Sequence, residues 1–159
     1  MLKRMDDMET DLENVFDMTR YFNGTTRAWG VFEDRFGRVR KTFDVTIKGH
    51  WQGDVFIMDE RFRYSDGVTD VRKWFIELEN EGRSIIARCN DCVGEARGVS
   101  ERDQISLDYL IKLKIGGRDV VVRFKDRLYR MNDRIVLNRA TMSKWGVKLG
   151  DVTLCFERT

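Results

Sequence analysis

Proline is absent from this 159-residue sequence, histidine occurs only once, and long apolar runs are missing. A helix that crosses a membrane needs roughly 20 apolar residues, whereas the longest apolar runs here are short pieces such as 120–122, so no such helix is expected. The sole histidine, His50, lies in a Gly-His-Trp-Gln-Gly segment, and no serine stands in a nucleophile elbow. Hydrolases that depend on a histidine-containing triad are therefore a poor fit.

Cysteine is also scarce, since Cys89 and Cys92 lie three residues apart and Cys155 is far along the chain. An odd number of cysteines does not suit a disulfide framework, and a closed zinc site would need a second pair. We therefore expect reduced thiols, no metal and no cofactor. The sequence opens Met-Leu-Lys-Arg-Met-Asp-Asp-Met-Glu, which is not an export signal. These features predict a cytoplasmic protein and leave open peripheral contact with a membrane from that side.

The charges nearly cancel, because 29 Lys and Arg face 27 Asp and Glu, although 35% of the residues are charged. This balance is typical of a folded domain and unlike that of a disordered chain or a dedicated nucleic-acid binder. Basic residues cluster over 123–139, but acidic residues are interleaved with them and no ladder of exposed aromatic residues accompanies them. We expect a solvated outer face there and no nucleic-acid partner.

Two hydrophobic patterns divide the sequence. Before residue 25, apolar residues such as Val15 and Met18 recur three and four apart, which predicts one short helical segment. After that point apolar and polar residues alternate, most clearly over 105–115, which predicts antiparallel strands with one apolar face. We therefore divide the chain into an N-terminal segment with a short helix, 1–24, and a β domain, 25–159.

About eight to ten strands must hide their edges, and closure into a barrel removes edges completely. The predicted fold is mainly β: a single antiparallel up-and-down barrel with room for its own side chains or for one small ligand. The segment 142–150 interrupts the alternation, and Trp145 and Leu149 lie four residues apart within it. This spacing predicts a short helical turn before the last strand, which would plug or cover one mouth of the barrel.

Two hairpin registers follow from the requirement that the apolar faces of paired strands coincide. A two-glycine turn at 116–117 pairs Tyr109 with Phe124 and Leu107 with Asp126, which puts one carboxyl group on the apolar face.

A three-residue turn at 65–67 pairs Met58 with Trp74 and also Glu60 with Arg72. Two opposite charges then become cross-strand neighbours on an apolar face, which is the arrangement of a buried ion pair.

Five segments together carry a family resemblance. They are Trp-Gly-Val-Phe at 29–32 with Asp-Arg-Phe-Gly at 34–37, Asp-Glu-Arg-Phe-Arg-Tyr-Ser-Asp-Gly at 59–67, Arg-Lys-Trp at 72–74, Val-Gly-Glu-Ala-Arg-Gly at 93–98, and the run 138–153. From about residue 20 to its end the sequence resembles the bacterial domain-of-unknown-function family 3833. The resemblance implies a lipocalin-like (calycin-like) barrel without an established biochemical activity. It also implies an association with lipid modification, since relatives are often encoded near cyclopropane-fatty-acid-synthase-like methyltransferases. Many relatives resemble lipoproteins with an export signal, which is not found here.

The predicted site in the lumen is centred on Glu60 and Arg72. Burial of both charges costs several kcal/mol, which favours either a structural ion pair that closes one end of the barrel or a pair that holds a ligand. In the second interpretation Arg72 holds a carboxylate or carbonyl group and Glu60 orients it. The predicted ligand-binding residues are Glu60, Arg72, Trp74, Met58, Phe62, Tyr109 and Asp126.

Three functions remain open. The leading hypothesis is a non-enzymatic barrel that binds one small apolar or amphipathic molecule, such as a fatty acid or acyl derivative, as an accessory to bacterial lipid modification. An enzyme acting on a lipid-like substrate, with Glu60 and Asp126 as acid and base, would need both carboxyl groups in one open pocket. A scaffold protein would instead present an exposed apolar patch or a sizeable interface, without a cavity.

Overall fold

The computed structural model describes residues 15–159, which form one short helix and ten strands. Helix α1 is Met18–Tyr21. The strands are β1 Gly24–Asp34, β2 Val39–Gln52, β3 Val55–Tyr64, β4 Thr69–Glu79, β5 Ser84–Cys89, β6 Ala96–Ser100, β7 Gln104–Ile115, β8 Arg118–Arg130, β9 Ile135–Lys144 and β10 Val147–Arg158. The first part of the predicted helical segment, up to residue 14, lies outside the described residues.

The ten strands form a closed barrel in which each strand pairs antiparallel with its neighbours in sequence. Closure is made by β1 and β10, whose pairing runs from Thr26 opposite Arg158 to Asp34 opposite Gly150. The mainly β, up-and-down barrel with a short N-terminal helix is therefore confirmed. α1 has only four residues, and no helix long and apolar enough to span a membrane occurs within residues 15–159.

Both predicted hairpin registers are present. The pairs in question are Tyr109 with Phe124, Leu107 with Asp126, Met58 with Trp74, and Glu60 with Arg72. A shift by one residue would turn a whole apolar face toward water, and this penalty makes the register readable from the sequence.

The predicted helical turn over 142–150 is wrong. β9 and β10 form a hairpin joined by Trp145 and Gly146 alone, and the strands continue on both sides of this turn. Both turn residues have positive φ, 51° and 76°, as a type I′ turn requires. Tryptophan is an unusual residue for that conformation, so the turn carried no recognisable sequence signal, and the spacing of Trp145 and Leu149 was misleading.

α1 closes one end of the barrel. Asp17 caps the helix by accepting hydrogen bonds from the backbone N–H groups of Thr19 and Arg20. The backbone N–H of Phe16 donates to Glu101, and the Tyr21 hydroxyl donates to the carbonyl of Arg134 at 2.7 Å. The side chains that fill this end are almost fully buried: Phe16, Met18, Tyr21 and Phe22. We call this the plug end, and the opposite end the mouth.

The prediction of reduced thiols at Cys89 and Cys92 is also wrong, because the two residues form a disulfide. They lie at the end of β5 and in the connection to β6, with Cα atoms 5.0 Å apart. Cys155 is a free thiol on β10. The cysteine argument for a cytoplasmic location took these thiols to be reduced, and it is therefore lost.

Gly49 on β2 provides a test of the plug. A Cβ atom at this position would overlap the carbonyl oxygen of Phe22 and would lie 2.7 Å from the ring of Phe56. We expect Gly49→Ala to displace the plug and to lower the free energy of unfolding by roughly 1–3 kcal/mol, because the obstructing atom belongs to the backbone. Urea unfolding measures this loss. The matched control is His50→Ala at the exposed neighbour, expected within about 0.5 kcal/mol of wild type; equal stability of the two variants would contradict the packing described here.

Candidate functional site

The barrel encloses one large cavity of about 890 Å³. Toward the plug end its wall is formed by buried apolar side chains, among them Ile47, Ile76 and Phe22. Toward the mouth the wall includes exposed residues such as Val68 and Ile115, so the cavity reaches the surface there. A volume of this size is in the range of pockets that hold a small organic molecule.

All seven residues predicted for the site line this one cavity. They are Met58, Glu60 and Phe62 on β3, Arg72 and Trp74 on β4, Tyr109 on β7 and Asp126 on β8. The structure thus brings them together, because inward-facing positions alternate along each strand and the two strand pairs, β3–β4 and β7–β8, are in the predicted register. That these residues bind a ligand stays a prediction.

Arg72 is held by Asp91 and not by Glu60. Its Nε lies 3.0 Å from Asp91 Oδ1, and its Nη2 lies 3.2 Å from Asp91 Oδ2, which makes a two-armed ion pair. The side chains are only 15% and 24% exposed, so solvent screens the pair weakly. Burial opposes the positive charge, but the negative charges of Glu60 and Asp91 raise the pKa of Arg72, which therefore stays cationic.

Glu60 faces Arg72 across the strand pair and accepts a hydrogen bond from the indole N–H of Trp74 at 3.2 Å. Burial raises the pKa of Glu60 to about 7, although the positive charge of Arg72 and the bond from Trp74 both lower it. Near neutral pH this carboxyl group is thus roughly half protonated, and it can either donate or accept a hydrogen bond.

Asp126 forms a second polar group, deeper in the wall. Its Oδ2 accepts from the Tyr109 hydroxyl at 2.9 Å and from Asn138 Nδ2 at 3.4 Å. Burial raises the pKa of Asp126 to about 6, against these two bonds, and raises the pKa of Tyr109 as well. The other oxygens, Asp126 Oδ1 and Asn138 Oδ1, are buried and accept no hydrogen bond from any residue in 15–159. Each is a buried acceptor without a described partner, which a donor in the lumen would reach only after the side chain turns.

Aromatic rings hold this polar cluster in place. Trp74 meets Tyr109 edge to face at 5.3 Å, and Tyr109 stacks on Phe124 at 5.5 Å. The guanidinium of Arg72 lies over the ring of Phe62 at 5.3 Å. The side chains therefore present a fixed set of polar atoms inside an otherwise apolar lumen.

Two residues of the polar cluster escaped the sequence analysis. Asn138 lies on β9 two residues from Val136 and two from Ala140, so all three share one face of the strand. The period-2 pattern therefore already placed the Asn138 side chain inside the barrel. Asp91 gave no such signal, because it lies in the β5–β6 connection between Cys89 and Cys92, whose spacing drew attention to the thiols.

The same connection offers the one group of candidate metal ligands found among residues 15–159. Ligand atoms of Cys89, Asp91 and Cys92 all lie within 4.8 Å of one another. Both sulfur atoms are used in the disulfide, however, and Asp91 is engaged by Arg72. A thiolate must be free to bind zinc, so this group does not fit a metal while the disulfide is intact.

The raised pKa of Glu60 predicts a dependence of stability on pH. The folded protein holds this proton up to about pH 7, whereas a glutamate of ordinary pKa, 4.5, releases it earlier, so the free energy of unfolding falls as pH rises between these values. We expect Glu60→Gln to remove this part of the decline and to exceed wild type in stability by about 3 kcal/mol near pH 8, with no gain near pH 4. Urea unfolding across pH measures the difference. Glu79→Gln, at an exposed position of β4, is the control; parallel profiles for Glu60→Gln and wild type would refute the assignment.

Solved structures with this fold include an S-type phycobiliprotein lyase, CPES from Guillardia theta. It is 8% identical with a TM-score of 0.67, and the match covers 99% of this chain and 98% of that one. A DUF3598-family protein of unknown function from Nostoc punctiforme is 10% identical with a TM-score of 0.62, over 89% of this chain and 49% of that one. EF1p2_mFAP2b, solved bound to DFHBI, is 10% identical with a TM-score of 0.52, over 90% and 98% of the two chains. At these identities the similarity concerns the fold alone.

A search among curated proteins returns no match. A family described as "Protein of unknown function (DUF3833)" matches residues 3–158, which is nearly the whole chain. The resemblance seen in the five sequence segments is thereby confirmed, and the barrel with its lined cavity is the structure that those segments build. The chain belongs to the DUF3833 family.

Proposed function

We propose that this protein is a non-enzymatic barrel that binds one small apolar or amphipathic molecule, a fatty acid or acyl derivative, in its lumen. The observation that carries the proposal is a cavity of about 890 Å³ with apolar walls and two buried acceptor oxygens that have no described partner, Asp126 Oδ1 and Asn138 Oδ1. Few, well-placed polar groups in an apolar pocket are typical of small-molecule sites. EF1p2_mFAP2b, which shares the fold, was solved bound to DFHBI, and this supports a small-molecule ligand of some kind.

The charges in the lumen favour one kind of head group. Arg72 is already paired with Asp91, while Asp126 and Glu60 add negative charge as the pH rises. An ionised carboxylate placed beside them would be repelled. A head group that donates hydrogen bonds, such as a hydroxyl, an amide or a protonated acid, would satisfy these oxygens of Asp126 and Asn138 once the two side chains turn toward the lumen. The proposal therefore assigns the polar head to this pair, and gives Arg72 the role of offsetting the charge of Asp91.

We propose that the protein binds such a ligand as an accessory to bacterial lipid modification. The cytoplasmic location and the contact with a membrane remain parts of this proposal. The location rests on the sequence alone, and the Cys89–Cys92 disulfide weighs against it, because disulfides are typical of oxidising compartments. A lipid-like ligand is held mainly in membranes, which favours membrane contact.

The head-group assignment predicts a preference between two probes of equal chain length, dodecanamide and dodecanoate. We expect delipidated protein near pH 8 to bind the amide about tenfold more tightly or better, because a net loss of roughly 1.4 kcal/mol by repulsion corresponds to that ratio. The preference should shrink near pH 5, where the lumen carboxyl groups and the probe acid become protonated. Isothermal titration calorimetry measures both affinities. Binding of neither probe would remove the proposal of a lipid-like ligand.

The contribution of the open oxygens is tested separately. A triple variant, Tyr109→Phe with Asp126→Leu and Asn138→Leu, removes this polar group from the cavity wall without leaving one of its members buried and unpaired. The triple variant should lose the preference for dodecanamide and still bind the acyl chain of both probes. The control is Leu154→Met elsewhere in the lumen wall, which should keep the preference. Tighter binding of dodecanoate by wild type would overturn the assignment of the head group while leaving the cavity as the site.

A second candidate function is supported by one observation: Glu60 and Asp126 line the same cavity and have raised pKa values of about 7 and about 6. Two carboxyl groups with such values are suited to proton transfer as acid and base on a lipid-like substrate.

Proton transfer has a distinct signature. A lipid extract incubated with the protein in D₂O would gain deuterium at carbon only if the two carboxyl groups exchange substrate protons. The variant Glu60→Gln with Asp126→Asn would abolish that exchange and still bind lipid. We expect no deuterium incorporation, because a binding protein does not exchange protons on its ligand. Incorporation by wild type that is lost in the variant would instead show that the protein is an enzyme.

A further inference from the structure

The five connections at the mouth share a feature that sequence order conceals. In an up-and-down barrel the connections β1–β2, β3–β4, β5–β6, β7–β8 and β9–β10 all lie at one end. Each of them carries, within it or on the adjoining strand end, a large apolar side chain in solvent. These five residues, which we call the mouth ring, are Phe36, Val68, Val93, Ile115 and Trp145, and they are 71%, 53%, 42%, 49% and 90% exposed.

The plug end is different. Its connections have the sequences Gly-Asp at 53–54, Asn-Glu-Gly-Arg at 80–83, Glu-Arg-Asp at 101–103 and Met-Asn-Asp-Arg at 131–134. Only the last contains an apolar side chain, Met131. At the plug end the exposed large apolar side chains include Met131, 58% exposed, and Trp51 near the end of β2, 47% exposed, whereas at the mouth all five connections carry one.

Trp145 is costly to place where it is. Its φ of 51° lies in the left-handed region, which a bulky side chain adopts only with strain, and asparagine or glycine is usual there. With 90% of its surface exposed, its ring gains almost nothing from burial in the barrel. Strain without a folding benefit points to a role outside the fold. Tryptophan is also the side chain most suited to a membrane interface, with an apolar ring and one polar N–H.

Basic side chains surround these tips. Arg35 lies over the ring of Phe36 at 4.8 Å, and Lys144 lies over Trp145 at 4.6 Å. Several acids at the mouth are matched, as Asp34 is by Arg40. The mouth side chains that make no ion pair with any described residue are mainly basic: Arg35, Arg38, Lys112, Lys114, Arg118 and Lys144, against the acidic Glu33, Asp70 and Asp119. The end that presents apolar tips thus carries an excess of positive charge.

We propose that the mouth ring docks on the surface of an anionic lipid bilayer, with Phe36 and Trp145 inserted among the head groups. Apolar and aromatic tips joined to basic side chains are the combination that binds such a surface. Val68 and Ile115 belong both to the ring and to the cavity wall, so the docked protein faces the bilayer with its opening. Docking depends only on the outer rim and does not require the lumen to hold a lipid.

The first test uses vesicles of phosphatidylcholine with and without phosphatidylglycerol, and measures bound protein by co-sedimentation. Wild type should bind the anionic vesicles, bind the neutral ones weakly, and lose affinity as salt is added. Phe36→Ser with Trp145→Asn should lower the affinity about tenfold or more, because two large apolar side chains no longer insert. The control is Met131→Ser at the plug end, which should bind as wild type does.

Trp145→Asn alone also guards against misfolding, because asparagine tolerates the left-handed conformation. This variant should unfold at the same or higher temperature than wild type while it loses vesicle binding. Acyl chains brominated near the head group should quench part of the wild-type fluorescence, and that quenching should disappear in Trp145→Phe, since the remaining tryptophans lie outside the ring.

Two results would overturn the proposal. One is vesicle binding that is absent, or unchanged by Phe36→Ser with Trp145→Asn. The other is a dimer in sedimentation that Trp145→Asn abolishes, since the ring would then cover a second copy of this chain. Failure of the lumen proposal can be told apart from failure of docking. The triple variant at Tyr109, Asp126 and Asn138 leaves the rim intact, so it should bind vesicles as wild type does whether or not the lumen holds a lipid.

Discussion

Closure of the sheet by β1 and β10 is the constraint on which the other features depend. Because these two strands pair along their length, every strand has a partner on both sides and no edge is left to water or to aggregation. Closure also forces the alternating side chains to point either into a lumen or outward. Ten strands enclose more volume than the inward side chains fill, so a cavity follows from the number of strands.

The polar cluster in the lumen works against stability. The cluster contains four charged or ionisable side chains: Arg72, Asp91, Glu60 and Asp126. Apolar side chains of similar volume would cost less free energy to bury there. The ion pair, the aromatic stacking and the bond from Tyr109 offset only part of this cost, because one oxygen each of Asp126 and Asn138 is buried without a partner among residues 15–159. Proteins commonly keep such arrangements where binding or chemistry needs them.

The sequence was sufficient for the barrel and for much of the site, because period 2 and the rule that apolar faces coincide are both global constraints. They placed Glu60 opposite Arg72 and put Asp126 on the inner face. What failed was local. The turn at Trp145 breaks the residue preference of its type, and pairing of Cys89 with Cys92 depends on the path of the β5–β6 connection, which no periodicity encodes.

The plug that fills one end has a kinetic consequence. With α1 in place and hydrogen bonds around the whole circumference, a molecule enters and leaves by the same route, along the axis and past the mouth. Entry and exit then share one barrier, so whatever narrows the opening slows association and dissociation by the same factor. Residence time inside the barrel can in this way be set at the rim, while affinity is set by the walls.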